Sequence, residues 1–187
     1  IGMKVLIIEN SEAIAKKALE SILDGSEKEV EILPNYNDFF DHINKNAHSF
    51  GFIELNDELL ERLFSGRYKI FAEVAVSPKK NFLGKTKSKQ GERRFLFIGR
   101  SFYEMPSTKS NKVSFVFKLK KREDIDDLKT FLDKSNFKLE SLKENPLDLH
   151  HYFAEVKFKN LLDLGQLEES VQDFQILGIY QEGKSIS

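Results

Sequence analysis

Arg93 and Arg94 stand side by side ahead of Phe95-Leu96-Phe97-Ile98, an apolar run of strand length. A guanidinium grips carboxylates or phosphates through paired N–H donors, but with a pKa above about 12 it does not supply a proton. Adjacent strand residues point to opposite faces of a sheet, so only one of the two arginines faces any single cleft. Glu54 and Glu73 lie at or near the ends of two other strand candidates, and they could serve as acid and base if one cleft held both. Asn10 and Ser11 open a helix whose first backbone N–H groups are able to bind an anion, although helix capping alone accounts for Ser11.

Other chemistry is argued against by residue type. Lys79, Lys80, Lys85, Lys87 and Lys89, with Arg93 and Arg94, form a basic cluster broken by Glu92. Phe82 is the aromatic within it, so bases have little to stack on; a solvated loop is the simpler reading and nucleic acid is not an expected partner. His150 and His151 are neighbours on a strand and face opposite ways, which spoils them as joint ligands of a metal. His42 and His48 have no carboxylate or serine at a catalytic spacing and read as surface residues. No metal and no cofactor are expected.

The chain of 187 residues contains no cysteine, which excludes a disulfide framework, a thiolate zinc site and a cysteine nucleophile, and points to the cytoplasm. With 29 basic and 30 acidic residues the formal charge is −1, so no global field draws it to polyanions. No apolar run approaches the roughly 18 residues that span a bilayer, and no membrane association is expected.

These groups need elements to hold them. Val5-Leu6-Ile7-Ile8 is continuously apolar and fits a central parallel strand; Ile14, Ala18 and Ile22 then recur at helical spacing until Gly25. Val30 to Leu33 and Asp38 to Lys45 repeat the strand and helix, as do Phe50 to Leu55 and Glu58 to Phe64. Tyr68 to Val76 and Arg94 to Ile98 add two strands, giving a mostly parallel α/β lobe over residues 1–100. Residues 101–111, with Pro106 and no apolar period, are expected to be a linker. From 112 to 187 the order is Val113 to Phe117 as strand, a helix with Ile125, Leu128, Phe131 and Leu132, strands at Phe137 to Leu142 and His151 to Phe158, a helix from Leu161 and a strand from Gln175. This βαββαβ order is the ferredoxin-like, α+β arrangement, with helices on one face of an antiparallel sheet and the other face left to water or a partner. The strand at 150–158 lacks the glycine of an RNA-recognition strand and carries Glu155.

Phe115-Val116-Phe117-Lys118-Leu119, the turn Lys143-Glu144-Asn145-Pro146, Tyr152-Phe153-Ala154-Glu155-Val156 and Ile176-Leu177-Gly178-Ile179-Tyr180 resemble the ACT regulatory domain of the prephenate dehydratase family. Arg93-Arg94-Phe95 and the strand after it resemble the threonine-arginine-phenylalanine strand that precedes that domain, and Val5 to Val76, with Phe52-Ile53-Glu54, resembles the family's second catalytic lobe. The resemblance implies half of a periplasmic-binding-protein-like fold, no segment for the first lobe, and a homodimer through the ACT domain. It implies a ligand, an aromatic amino acid or a prephenate-like acid, at the turns holding Glu123, Asp124 and Ile125 and Lys143, Glu144, Asn145 and Pro146, with Asn10 and Ser11 in an anion-binding loop.

Two departures shape the expected function. Arg93 stands where the family has a catalytic threonine, and Glu123-Asp124 replaces a glycine and alanine of the ligand turn. The expectation is therefore a dehydratase-like protein of phenylalanine biosynthesis acting as a non-catalytic ligand-binding or regulatory module. The alternatives are an active dehydratase completed by a separate first-lobe partner, and nucleic-acid binding through the lysine-rich loop.

Overall fold

The computed structural model describes residues 3–23, 25, 27–78, 91–100 and 109–187. Two compact units emerge: one is made of Ile1–Leu59, Ile70–Tyr103 and Gly183–Ser187, the other of Leu60–Lys69 and Glu104–Glu182. A division at a single linker does not produce these units, because Leu60–Lys69 groups with the second and Gly183–Ser187 with the first. Residues 101–108 of the expected linker lie outside the described residues.

In the first unit β1 (Met3–Ile8) is an interior strand, parallel to both β2 (Lys28–Leu33) and β3 (Ser49–Glu54), with Val5 opposite Val30 and Phe50. Parallel neighbours require crossovers, supplied by α1 (Glu12–Leu23) and α2 (Tyr36–Lys45). Gly25 follows α1 at φ 73°, a left-handed conformation that a side chain would strain. α2 starts two residues earlier than its apolar pattern suggests, because the Asn35 side chain accepts from the Asp38 N–H at 2.8 Å. Its buried face is Phe39, Phe40 and Ile43.

After α3 (Asp57–Leu63) come β4 (Lys69–Val76) and β5 (Arg93–Gly99), and β5 runs antiparallel to β3 with Glu54 opposite Phe95. A sixth strand, which no sequence pattern announces, closes the sheet. With strands numbered in chain order, this is β10 (Lys184–Ile186), parallel to β4, and the sheet order is β10-β4-β5-β3-β1-β2. Val5, Ile7, Ala18, Leu19, Phe52, Val74 and Phe95 form the buried core.

The second unit contains β6 (Lys112–Lys118), α4 (Asp124–Lys134), β7 (Lys138–Glu144), β8 (His151–Lys157), α5 (Leu164–Glu169) and β9 (Gln172–Tyr180). Its antiparallel sheet has the order β7-β8-β6-β9, the expected βαββαβ arrangement. Val113, Phe115 and Phe117 of β6 and Tyr152, Ala154 and Val156 of β8 share a core with Leu128, Leu132, Leu164 and Leu167 of the helices.

The face of this sheet expected to lie open to water or a partner is largely buried. Ser114, Val116, Phe153 and Glu155 are all at most 3% exposed. The Phe64 ring lies 5.2 Å from the His151 ring, Gln175 donates to the Gly66 carbonyl at 2.9 Å, and Lys69 donates to the Ile176 carbonyl at 3.4 Å. On the same face the Lys112 ammonium meets Glu155 at 3.4 Å, both almost wholly buried, and the hydroxyls of Ser114 and Tyr180 are 2.6 Å apart.

A buried charge that loses its partner is strongly destabilising, whereas replacing both partners by apolar groups need not be. Glu155→Ala is expected to lower the unfolding free energy of the second unit by about 3 kcal/mol in urea titrations. Lys112→Met with Glu155→Leu should recover most of that loss. An unchanged midpoint for Glu155→Ala would show that the ammonium is solvated after all.

Candidate functional site

The arginine pair sits at the start of β5, whose alternation sends the two side chains to opposite faces. Arg93 donates from Nε to Glu54 Oε2 at 2.8 Å and from a terminal nitrogen to Oε1 at 2.6 Å, a bidentate pair, with its guanidinium carbon 5.6 Å from the centre of the Phe95 ring. The hydrogen bonds that Arg93 donates to Glu54 raise the Arg93 pKa further above its ordinary range. Arg94 pairs with Glu73, which also accepts from the Gly183 N–H at 3.1 Å. Glu54 and Glu73 are thus claimed by different arginines and do not form an acid and base pair. Two of the five N–H donors of the Arg93 guanidinium are thereby committed to Glu54.

The other sequence candidates in this unit are scattered. Glu9–Ser11 form a short 3-10 turn ahead of α1, and the Ser11 hydroxyl donates back to the Ile8 carbonyl at 3.4 Å. Asn10 beside it is exposed. His42 lies 3.5 Å from Glu31, and His48 is exposed. Lys79, Lys80, Phe82, Lys85, Lys87 and Lys89 lie outside the described residues.

In the second unit a cavity of about 440 Å³ opens beside the turn between β6 and α4. Lys118, Leu119 and Lys120 line one side, Asp124, Asp127, Leu128 and Phe131 of α4 another, and Glu169, Ser170, Val171 and Gln172 the third. Its wall is mixed, with ammonium and carboxylate groups around aliphatic and aromatic surface, a lining suited to a small polar ligand with an apolar body. Asp124 also fixes the turn by accepting from the Lys121 N–H at 3.2 Å. Glu123 has φ −63° and ψ −24°, ordinary helical values, so this turn needs no glycine.

Glu123, Ile125, Lys143, Glu144, Asn145 and Pro146 do not line this cavity. Asn145 is engaged in its own loop, its N–H donating to the His151 carbonyl at 2.8 Å and its side-chain oxygen accepting from Leu147 N–H at 3.0 Å. His150 precedes β8 with φ 66°, and β8 begins at His151, so the two histidines are not paired on one strand.

Tyr152 is the functional-looking residue that sequence reasoning missed. It is 2% exposed and lies opposite Glu144 in the sheet, and its hydroxyl has no hydrogen-bond partner among the described residues. Burial, then the Glu144 charge, pushes its phenol pKa up, with Arg122 opposing. In the sequence its ring falls on the same stripe as the core phenylalanines, which hides the hydroxyl.

No family model matches the chain, and no curated protein sequence matches it. Solved structures do. The chain aligns with prephenate dehydratase from Streptococcus mutans at TM-score 0.70 and 14% identity, covering 99% of this chain and 100% of that one. It aligns with prephenate dehydratase from Arthrobacter aurescens in complex with L-Phe at TM-score 0.74 and 10% identity, covering 96% and 90%. It also aligns with GqqA, described as a novel type of quorum quenching acylases, at TM-score 0.68 and 11% identity, covering 95% and 94%. Identity this low establishes a shared fold and leaves activity open.

His151 gives the second unit a pH signature. Burial holds its pKa below the ordinary value of about 6.5, with the Asp148 charge opposing. The folded state then binds fewer protons than the unfolded state once the pH falls through about 6.5, so stability is lost on acidification from that value toward the lower folded pKa. His151→Gln is expected to flatten this part of the stability profile between about pH 7 and 5. A profile of undiminished slope in that variant would assign the acid sensitivity elsewhere.

Proposed function

We propose that this chain is a prephenate dehydratase-like protein related to phenylalanine biosynthesis that works as a ligand-binding or regulatory module and does not catalyse dehydration by itself. The observation that carries this reading is the bidentate pair between Arg93 and Glu54 at the position where the family's strand carries its catalytic threonine. A guanidinium whose protonated form is further stabilised does not hand a proton to a departing hydroxyl. Arg94, the family's own arginine by resemblance, is paired with Glu73. The first unit stands for one catalytic lobe, and the second for the ACT domain.

The ligand on this reading is an aromatic amino acid or a prephenate-like acid. Lys120 supplies charge for a carboxylate, Asp124 and Asp127 for an ammonium group, and Leu119, Leu128 and Phe131 the apolar surface of the cavity beside α4. A homodimer forms through the second unit, where β7 is an edge strand with largely exposed side chains. The cytoplasm is the compartment that fits a cysteine-free chain. The second reading, an active dehydratase whose cleft is completed by another subunit, draws on the alignment along the full length of the Streptococcus mutans enzyme.

Incubated with prephenate, the purified chain is expected to form no phenylpyruvate above a protein-free control. Turnover that disappears in Arg93→Ala would overturn the non-catalytic reading. Phenylalanine or prephenate is expected to raise the melting temperature, since a ligand at about 100 times its Kd stabilises the folded state by about 2.7 kcal/mol. Ser170→Trp, which places a ring at the cavity mouth, should abolish that shift; a shift of full size in this variant would move the ligand away from the cavity.

A further inference from the structure

The cavity beside α4 is lined by more negative charge than positive, with Asp124, Asp127 and Glu169 set against Lys118 and Lys120. The imbalance runs deeper than that count, because the Lys118 ammonium lies 3.4 Å from Asp148, a carboxylate outside the lining. Lys120 is then the lysine left to offset three carboxylates. Asp124 already accepts from the Lys121 N–H at 3.2 Å, whereas the side chains of Lys120, Asp127 and Glu169 are exposed and make no ion pair or hydrogen bond among the described residues.

The sign of this field decides which ligand head the cavity favours. An ammonium is drawn by three carboxylates and repelled by one lysine, and a carboxylate meets the reverse; a zwitterion gains one interaction and loses the other. Leu119, Leu128 and the half-buried Phe131 offer surface to an apolar body, and an aromatic face attracts a cation as well. The walls are formed in advance. The Lys121 bond fixes the turn into α4, and the N–H and hydroxyl of Ser170 both donate to the Leu167 carbonyl, at 3.2 and 2.7 Å, closing the end of α5. A ligand entering walls already held in this way loses less affinity to their ordering.

We infer that the cavity selects its ligand by an ammonium group on an apolar body, with Asp127 and Glu169 setting the choice, and that it needs no carboxylate on the ligand. The inference rests on the reading of this cavity as the ligand site and narrows it. Arylalkylamines and, less tightly, aromatic amino acids are accepted, whereas prephenate-like acids without an amine are disfavoured.

The test titrates the full chain calorimetrically with phenethylamine, phenylalanine and phenylpropionate, which share a phenyl ring on a short chain and differ in the charge they carry. Phenethylamine is expected to bind tightest and phenylpropionate roughly tenfold or more weaker, with phenylalanine between them. Added salt should narrow the gap, because exposed charges are screened. Asp127→Asn with Glu169→Gln, which preserves the shape of two exposed side chains, should weaken phenethylamine by about tenfold and leave phenylpropionate no weaker. Phenylpropionate binding as tightly as phenethylamine, and lost in Ser170→Trp, overturns the amine selectivity while the cavity stays the ligand site. Phenethylamine binding at full strength in both the double variant and Ser170→Trp overturns it by moving the amine elsewhere. Binding of none of the three overturns this inference and the ligand-site reading together.

Discussion

The alternation of side chains along β5 is the constraint on which the first unit turns. β5 lies between β4 and β3 in the sheet, and consecutive arginines at its start reach in opposite directions, Arg93 to Glu54 at the end of β3 and Arg94 to Glu73 in β4. Both ion pairs therefore bind a strand to its neighbour across the sheet. The arginines and glutamates that the sequence offers as candidates for chemistry are the same groups that join the strands. Glu73 extends this role once more by accepting from Gly183, so that one carboxylate holds β5 on one side and the segment leading into β10 on the other.

In the second unit the governing condition is burial on both sheet faces. The helix side follows the ordinary logic of a ferredoxin-like module, with phenylalanines and leucines sharing one core. The other side buries Lys112 and Glu155 against each other and sets Ser114 beside Tyr180, so polar groups removed from water find protein partners. Tyr152 departs from that rule, with a buried hydroxyl that has no hydrogen-bond partner among the described residues, near the charges of Glu144 and Arg122. The cavity of this unit lies where β6 turns into α4 and α5 leads into β9.

The three solved structures compared above have 14% identity or less, and they are described both as dehydratases and as an acylase. What is held in common is therefore the fold. Activity depends on which side chains occupy a few positions, and at residue 93 this chain carries an arginine that donates two hydrogen bonds to Glu54.

By itself the sequence determined the elements whose signal is local. The apolar run Val5 to Ile8, the helical face of Phe39, Phe40 and Ile43, the βαββαβ order and the opposite facing of Arg93 and Arg94 all follow from periods of two or about 3.6 residues, which a short window contains. Tertiary structure alone decided what those faces meet. Glu73 finds Gly183 at a separation of 110 residues and Lys69 finds the Ile176 carbonyl at 107, and β10 exists as a strand only because β4 stands beside it. A three-residue polar strand has no period of its own, and a carboxylate looks the same in sequence whether it faces a substrate or an arginine. Local patterning fixes which side of an element is apolar, whereas partners distant along the chain are chosen by the packing of the whole fold.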